Sequence, residues 1–148
     1  MTTDQARNDI LTFFTTNFDL ISINSSLGLD VLPIVIYDNK EKPPQDSGKS
    51  WLRVAIRPNL GEQETLGKSG NRRFLKHGIL FIQIFTPLGK GLELADYLSD
   101  NILDFLEGGE TVTHKIPFNE VSPPNDLGNE GTWNQVNIKA NFFYENIN

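Results

Sequence analysis

RFLKHGILFIQIF, Arg73 to Phe85, is the stretch on which the fold turns. It opens with apolar–polar alternation and from Ile79 onward is apolar on both faces. A strand of that kind is central in its sheet and covered. TPLGKG then turns the chain. Leu92 to Leu106 follows as a helix with Leu94, Ala95, Leu98, Ile102 and Phe105 on one side. Gly108 and Gly109 end it, because glycine accepts the left-handed conformation of a helix C-cap.

Working toward the N-terminus, WLRVAIR (Trp51 to Arg57) alternates, with Leu52, Val54 and Ile56 on one face and Arg53 and Arg57 on the other. That pattern is a half-buried strand. LPIVIYD (Leu32 to Asp38) is a short apolar run ended by turn residues, a buried strand. Residues 3–16 place Ala6, Ile10, Phe13 and Phe14 at helical spacing, and Thr2 with Gln5 forms a capping box. Toward the C-terminus, THKIPFNEV (around 113–121) is a weaker strand that Pro117 assigns to an edge or a bulge. Thr132 to Glu145 alternates again, with Val136, Ile138, Ala140 and Phe142 inward and Gln135, Asn137, Lys139 and Asn141 outward. DNKEKPPQDSGKS, Pro58 through Asn71, and SPPNDLGNEG read as three long loops. The order α-β-β-β-α-β-β predicts one α+β domain over residues 1–148. Its sheet is mostly antiparallel (mixed), built from hairpin strands, with two main helices on one face and long inter-strand loops.

The bulk properties narrow the function. A chain of 148 residues fits one domain. A domain of that size buries roughly 68–70% of its unfolded surface, enough for a core without staples. Cysteine is absent, which removes disulfides and thiolate chemistry and fits a reducing compartment. The net charge of -6 argues against a protein that wraps DNA through phosphate contacts. The N-terminus MTTDQARNDILTFF lacks the basic and then apolar pattern of a cleaved signal, and no stretch approaches the ~18 apolar residues of a membrane span.

GEQETLGKSG, Gly61 to Gly70, resembles a phosphate-binding loop but fails its rule. Five residues, Glu62 to Leu66, separate the glycines where the motif has four. A strand follows where the motif leads into a helix, and Glu62 and Glu64 would repel the phosphates. TPLGKG lacks the glycine pattern of a dinucleotide site and reads as a plain strand-to-helix connection. His77 and His114 have no ligand set around them, and no nucleophile elbow occurs. The residues therefore point to no catalytic group, no cofactor and no metal.

Charge is segregated instead. Glu93, Asp96, Asp100, Asp104 and Glu107 share a stripe about 80° wide on the second helix. Lys68, Arg72, Arg73 and Lys76 form the one basic cluster. A head-to-tail contact between the acidic helix of one copy and the basic loop end of the next would close a ring. A solvated helix face, or a stripe lining a channel that keeps passing DNA from sticking, are the alternatives. Three long loops suit a subunit that touches several neighbours.

The stretches WLRVAIRPNLGEQETLG, RRFLKHGILFIQIFTPLGKGLELADYLSDNILDFLEG and WNQVNIKANFFYEN, behind a short ARNDILTFF helix, resemble in this order the tail terminator-like proteins of tailed bacteriophages, of the type that ends lambda-like tails. The resemblance spans nearly the whole chain. Its most specific parts are R-P-x-x-G-E-Q-x-x-L-G, Q-I-F-x-P-x-G-K-G and W-x-Q-V-N. It implies a small α+β subunit without catalysis or cofactor, whose hexameric ring caps the tail tube, stops its growth and offers the surface that joins tail to head. The implied partners are further copies of the chain, the tail tube protein and the neck or head-completion proteins. Genomic DNA would pass through the ring without sequence-specific binding, and no membrane is involved. The implied place is the virion, after synthesis in the host cytoplasm. Gly61, Glu62, Gln63, Glu64 and Leu66 become a contact loop by the same analogy. The polar insertion DNKEKPPQDSGKS and the SPPNDLGNEG segment depart from the family pattern. The competing readings are another neck, head-completion or tail-tube subunit, and a small-molecule binder or enzyme that shares the fold class.

Overall fold

In the computed structural model, which describes residues 2–22, 33–37, 50–63, 70, 72–87, 92–130 and 133–147, the stretch that opens at Arg73 is the middle of the sheet. Eight elements follow in the order α1 (Thr3–Phe18), β1 (Ile34–Tyr37), β2 (Trp51–Gln63), β3 (Arg73–Pro87), α2 (Glu93–Leu106), β4 (Phe118–Val121), β5 (Asn125–Glu130) and β6 (Trp133–Ile147). The sheet runs β1-β2-β3-β6-β4, and β5 pairs with β6 on the same side as β4. Every pairing is antiparallel except β1 with β2. The fold is α+β with a mixed, mostly antiparallel sheet.

Alternation decides what each strand buries. Leu52, Val54 and Ile56 of β2, Leu80, Ile82 and Ile84 of β3, and Val136, Ile138, Ala140 and Phe142 of β6 all point to one side and are buried. The two helices cover that side. α1 contributes Ala6, Ile10, Phe14 and Phe18, and α2 contributes Leu94, Ala95, Leu98, Ile102 and Leu106, all to the same cluster. Burying a Leu or Ile side chain stabilises by about 1.5–3 kcal/mol. Four such residues on α2 are enough to seat a helix whose own capping is poor: Leu92 makes no side-chain cap bond. α1 is better started, because Thr2 and Gln5 exchange the two bonds of a capping box at 3.2 and 2.9 Å.

Two glycines are dictated by geometry. Gly108 closes α2 at φ 71°, the left-handed conformation. Gly78 faces Phe142 across the β3–β6 pair, and the Phe142 ring lies over it; a Cβ there would come within 2.4 Å of that ring. The core is filled at this position by a phenyl ring reaching across a strand that has no side chain of its own.

The structure departs from the sequence reading in four places. β2 continues to Gln63 where a loop was expected from Pro58, and residues 64–69 lie outside the described residues. Gly61, Glu62 and Gln63 pair with Lys76, Leu75 and Phe74 after a register shift between Pro58 and Gly61. Proline cannot donate to the ladder, and a bulge lets the strand resume beyond it. SPPNDLGNEG is not all loop: Asn125–Glu130 forms β5 on the free edge of β6. Backbone pairing there overrides a polar sequence of low strand propensity, and Pro123–Pro124 only separates β5 from β4. β1 and β2 are parallel rather than a hairpin, and residues 38–49 between them lie outside the described residues. Finally, Gln135, expected outward, is outward but buried. The first keeps the antiparallel character of the sheet, the second adds a strand to the expected order, and the third gives the sheet its parallel pair. Pro117 sits just before β4, bridged to Glu110, and β4 is an edge strand with a bulge, as the proline requires.

Candidate interaction surfaces

With both helices on one side, the other face of the sheet has no described layer over it. Trp51, Arg53, Ala55 and Arg57 of β2 share it with Ile79, Phe81, Gln83 and Phe85 of β3 and with Gln135, Asn137, Lys139 and Asn141 of β6. An aromatic group gathers at one end. The Trp51 and Phe85 rings stack at 4.0 Å with 7° between planes, and Trp133 meets Trp51 edge-on at 6.1 Å. Ile36 of β1 completes the cluster. Cations stand over these rings: the Arg53 guanidinium is 5.5 Å from the Trp51 centroid and 5.9 Å from that of Phe85, and Lys139 Nζ is 5.3 Å from Phe81. Such contacts leave the charge unneutralised while holding the long side chain flat on the sheet. Neither Arg53 nor Lys139 has a carboxylate partner among the described residues. Trp51 is 3% exposed, and its Nε1–H is buried without an acceptor among the described residues.

The opposite face of the molecule is acidic. Glu93, Asp96, Asp100, Asp104 and Glu107 are all exposed, and none is ion-paired among the described residues. At 100° per residue, the centre of this stripe lies about 170° around α2 from the centre of its buried residues. The carboxylates therefore point directly away from the sheet. The first-turn acids Glu93 and Asp96 also complement the helix dipole, which leaves the N-terminus of α2 ill-suited to a phosphate. Positions 88–91 of TPLGKG lie outside the described residues.

The basic cluster is divided. Arg73 forms an ion pair with Glu145 at 3.5 Å, on the outer side of the sheet. Arg72 and Lys76 lie over the Phe74 ring at 5.8 and 5.6 Å, and Arg72 Nε is buried without a partner. All three sit where β3 begins, whereas α2 follows the far end of that strand. Lys68, Glu64 and Leu66 lie outside the described residues. Gly61, Glu62 and Gln63 belong to β2.

One polar knot escaped the sequence reading. Asp9 is buried on α1 and its Oδ2 accepts the Thr111 hydroxyl at 2.5 Å and the His114 backbone N–H at 3.0 Å. Thr113 N–H reaches Oδ1 at 3.4 Å, and His114 Nδ1 lies 3.3 Å from Oδ2. Thr111 Oγ1 in turn accepts Ile116 N–H at 2.9 Å. Burial alone would raise the Asp9 carboxyl; the bonds from the Thr111 hydroxyl and the His114 and Thr113 backbones, with the His114 charge, outweigh it and hold the group below its usual value. Residues 102 to 105 positions apart in sequence meet here, and no local pattern signals it. The carboxylate is spent on fixing the turn that contains Lys115 at φ 54°. An open cleft beside that turn is lined by His114, Lys115, Phe143, Tyr144 and Glu145. His77 tilts against Phe143 at 6.3 Å. Among the described residues no three metal-ligating side chains come together, and no helix is long and apolar enough to cross a membrane.

No protein-family model matches this sequence, and no curated protein does. One solved structure superposes with a TM-score of 0.55 at 13% identity, over 90% of this chain and 94% of the other; the name it carries states no activity. At that identity the likeness is one of fold.

Proposed function

We propose that this chain is a structural virion protein of a tailed phage, a ring-forming subunit that caps the tail tube, ends its polymerisation and provides the head–tail joining surface. The observation that carries the reading is the two-sided apolar character of β3. Its inner residues meet the helices, while half-buried Ile79 and Phe81 line the other sheet face and Phe85 is buried there against Trp51. A surface with aromatic residues of this kind fits contact with another protein. The stretches that resemble the terminators fall on this framework. R-P-x-x-G-E-Q ends β2, Q-I-F-x-P closes β3, and W-x-Q-V-N begins β6.

The test is assembly with its partner. Protein added to purified tail tubes should bind at tube ends, one ring per end, and stop elongation by added tube subunits. Long tubes formed by the chain itself would favour a tail-tube subunit. Elongation unaffected by an excess of the protein would remove the terminator reading.

A further inference from the structure

The two faces described above are complementary, and they lie on opposite sides of a two-layer molecule. We infer that the outer sheet face around Arg53, Phe81 and Lys139 of one copy docks the acidic face of α2 of a second copy, with Arg53 and Lys139 meeting the carboxylates of Asp96, Asp100 and Asp104. This names the contact by which the proposed ring would close, and it rests on that reading.

Two features argue for this occupant. The first is charge. Arg53 and Lys139 are held on the sheet by aromatic rings and have no described counter-ion. Five carboxylates on α2 have none either. Within one copy they are separated by the whole thickness of sheet and helix, so they cannot neutralise one another. A neighbour in the same orientation brings them together, and complementary charge fixes register and excludes wrong pairings. The second is shape. Ala55 leaves a small residue between Arg53 and Arg57, beside half-buried Phe81 and Ile79. A row of low relief flanked by cations suits a helix laid along it.

The contact is heterologous: each copy gives a sheet face and receives a helix. Such contacts close into a ring or grow as a filament. The basic cluster at the start of β3 is the weaker candidate, because Arg73 is engaged by Glu145 and Arg72 is folded onto Phe74.

The experiment uses two charge-reversed forms of the full chain, Arg53→Glu with Lys139→Glu and Asp100→Lys with Asp104→Lys. All four positions are exposed or half-buried, and circular dichroism and melting confirm that each form folds. Mass by light scattering is followed across a concentration series, alone and in mixture. Each form alone should need at least tenfold more protein than the wild type to assemble half its copies. The equimolar mixture should recover wild-type assembly, because every sheet face then finds a helix of opposite charge. Arg72→Glu with Arg73→Glu should assemble as the wild type does. If the Arg53/Lys139 form assembles normally, or the mixture is no better than its parts, the docking is overturned. Rings that survive in that form while still capping tubes overturn the contact and leave the terminator reading standing. Rings that depend on Arg53 and Lys139 but never bind tubes support the contact and overturn the terminator reading.

Discussion

Replacing Asp9 by alanine removes the acceptor on which the Thr111–Ile116 turn is hung. The Thr111 hydroxyl is buried and loses its partner outright, at about 1–3 kcal/mol. The His114 and Thr113 N–H groups lie on an exposed turn where water can replace the carboxylate, so their loss adds less. The total is about 2–4 kcal/mol, which for a chain of this size lowers the melting temperature by roughly 6–14 °C. Asp9→Asn is the sharper probe. Its one oxygen can occupy the place of Oδ2, which takes the Thr111 and His114 bonds, so only the long Thr113 contact and the negative charge are lost. We expect about 1–2 kcal/mol at neutral pH. The pH dependence follows from the depressed carboxyl. A group whose folded-state pKa lies below its unfolded value stabilises the fold above the unfolded value, here 3.8, and that contribution is lost as pH falls through the folded value. The wild type should therefore lose its advantage over Asp9→Asn on going from about pH 5 to below about pH 3. Thermal melting of the three proteins across that range is the assay. An alanine variant that melts within about 2 °C of the wild type, or a gap to asparagine that does not change with pH, would refute the reasoning.

Three further outcomes are expected. Gly78→Ala should cost about 1–3 kcal/mol, because the new methyl meets the Phe142 ring inside the core and the ring has to move; chemical denaturation measures it, and Gly78→Ala combined with Phe142→Leu should recover part of the loss. Thr2→Ala should cost about 1 kcal/mol by ending the capping box of α1, with hydrogen exchange accelerated in its first turn and unchanged in β3. Arg73→Ala should move the melting temperature by no more than about 2 °C, since its ion pair with Glu145 joins two half-exposed side chains; a larger loss would mean that the start of β3 bears more of the fold than the exposure suggests.

What could be read ahead of the structure was whatever repeats locally. The alternation in WLRVAIR and in the last strand named the inward residues correctly, and the apolar stripe of α2 picked four of the buried positions while leaving out Ser99 and Leu106. Thr2 and Gln5 announced their capping box because both partners lie within one turn. β5 was hidden because NDLGNE has neither strand propensity nor alternation; it is held by the free edge of β6, a partner distant from any local signal. The Asp9 knot was hidden for the same reason. The aromatic end of the sheet could have been found. Arg53 and Arg57 were placed on the side opposite the core, Trp51 falls on their side by alternation, and β3 was apolar on both faces while helices were expected on only one. An apolar outer face with no helix left to cover it is a readable sign of a contact surface. The basic cluster misled because four cations close in sequence were taken as close in space, whereas alternation sends Arg73 and Lys76 to opposite sides of the sheet.

The most direct measurement of the central claim is electron microscopy of purified tail tubes, supplied with tube subunits and incubated with and without this protein. The account predicts a single ring at the tube end and an arrest of growth at a protein concentration that saturates the ends. Tubes that lengthen at the same rate with the protein in excess, and ends that stay bare, would contradict it.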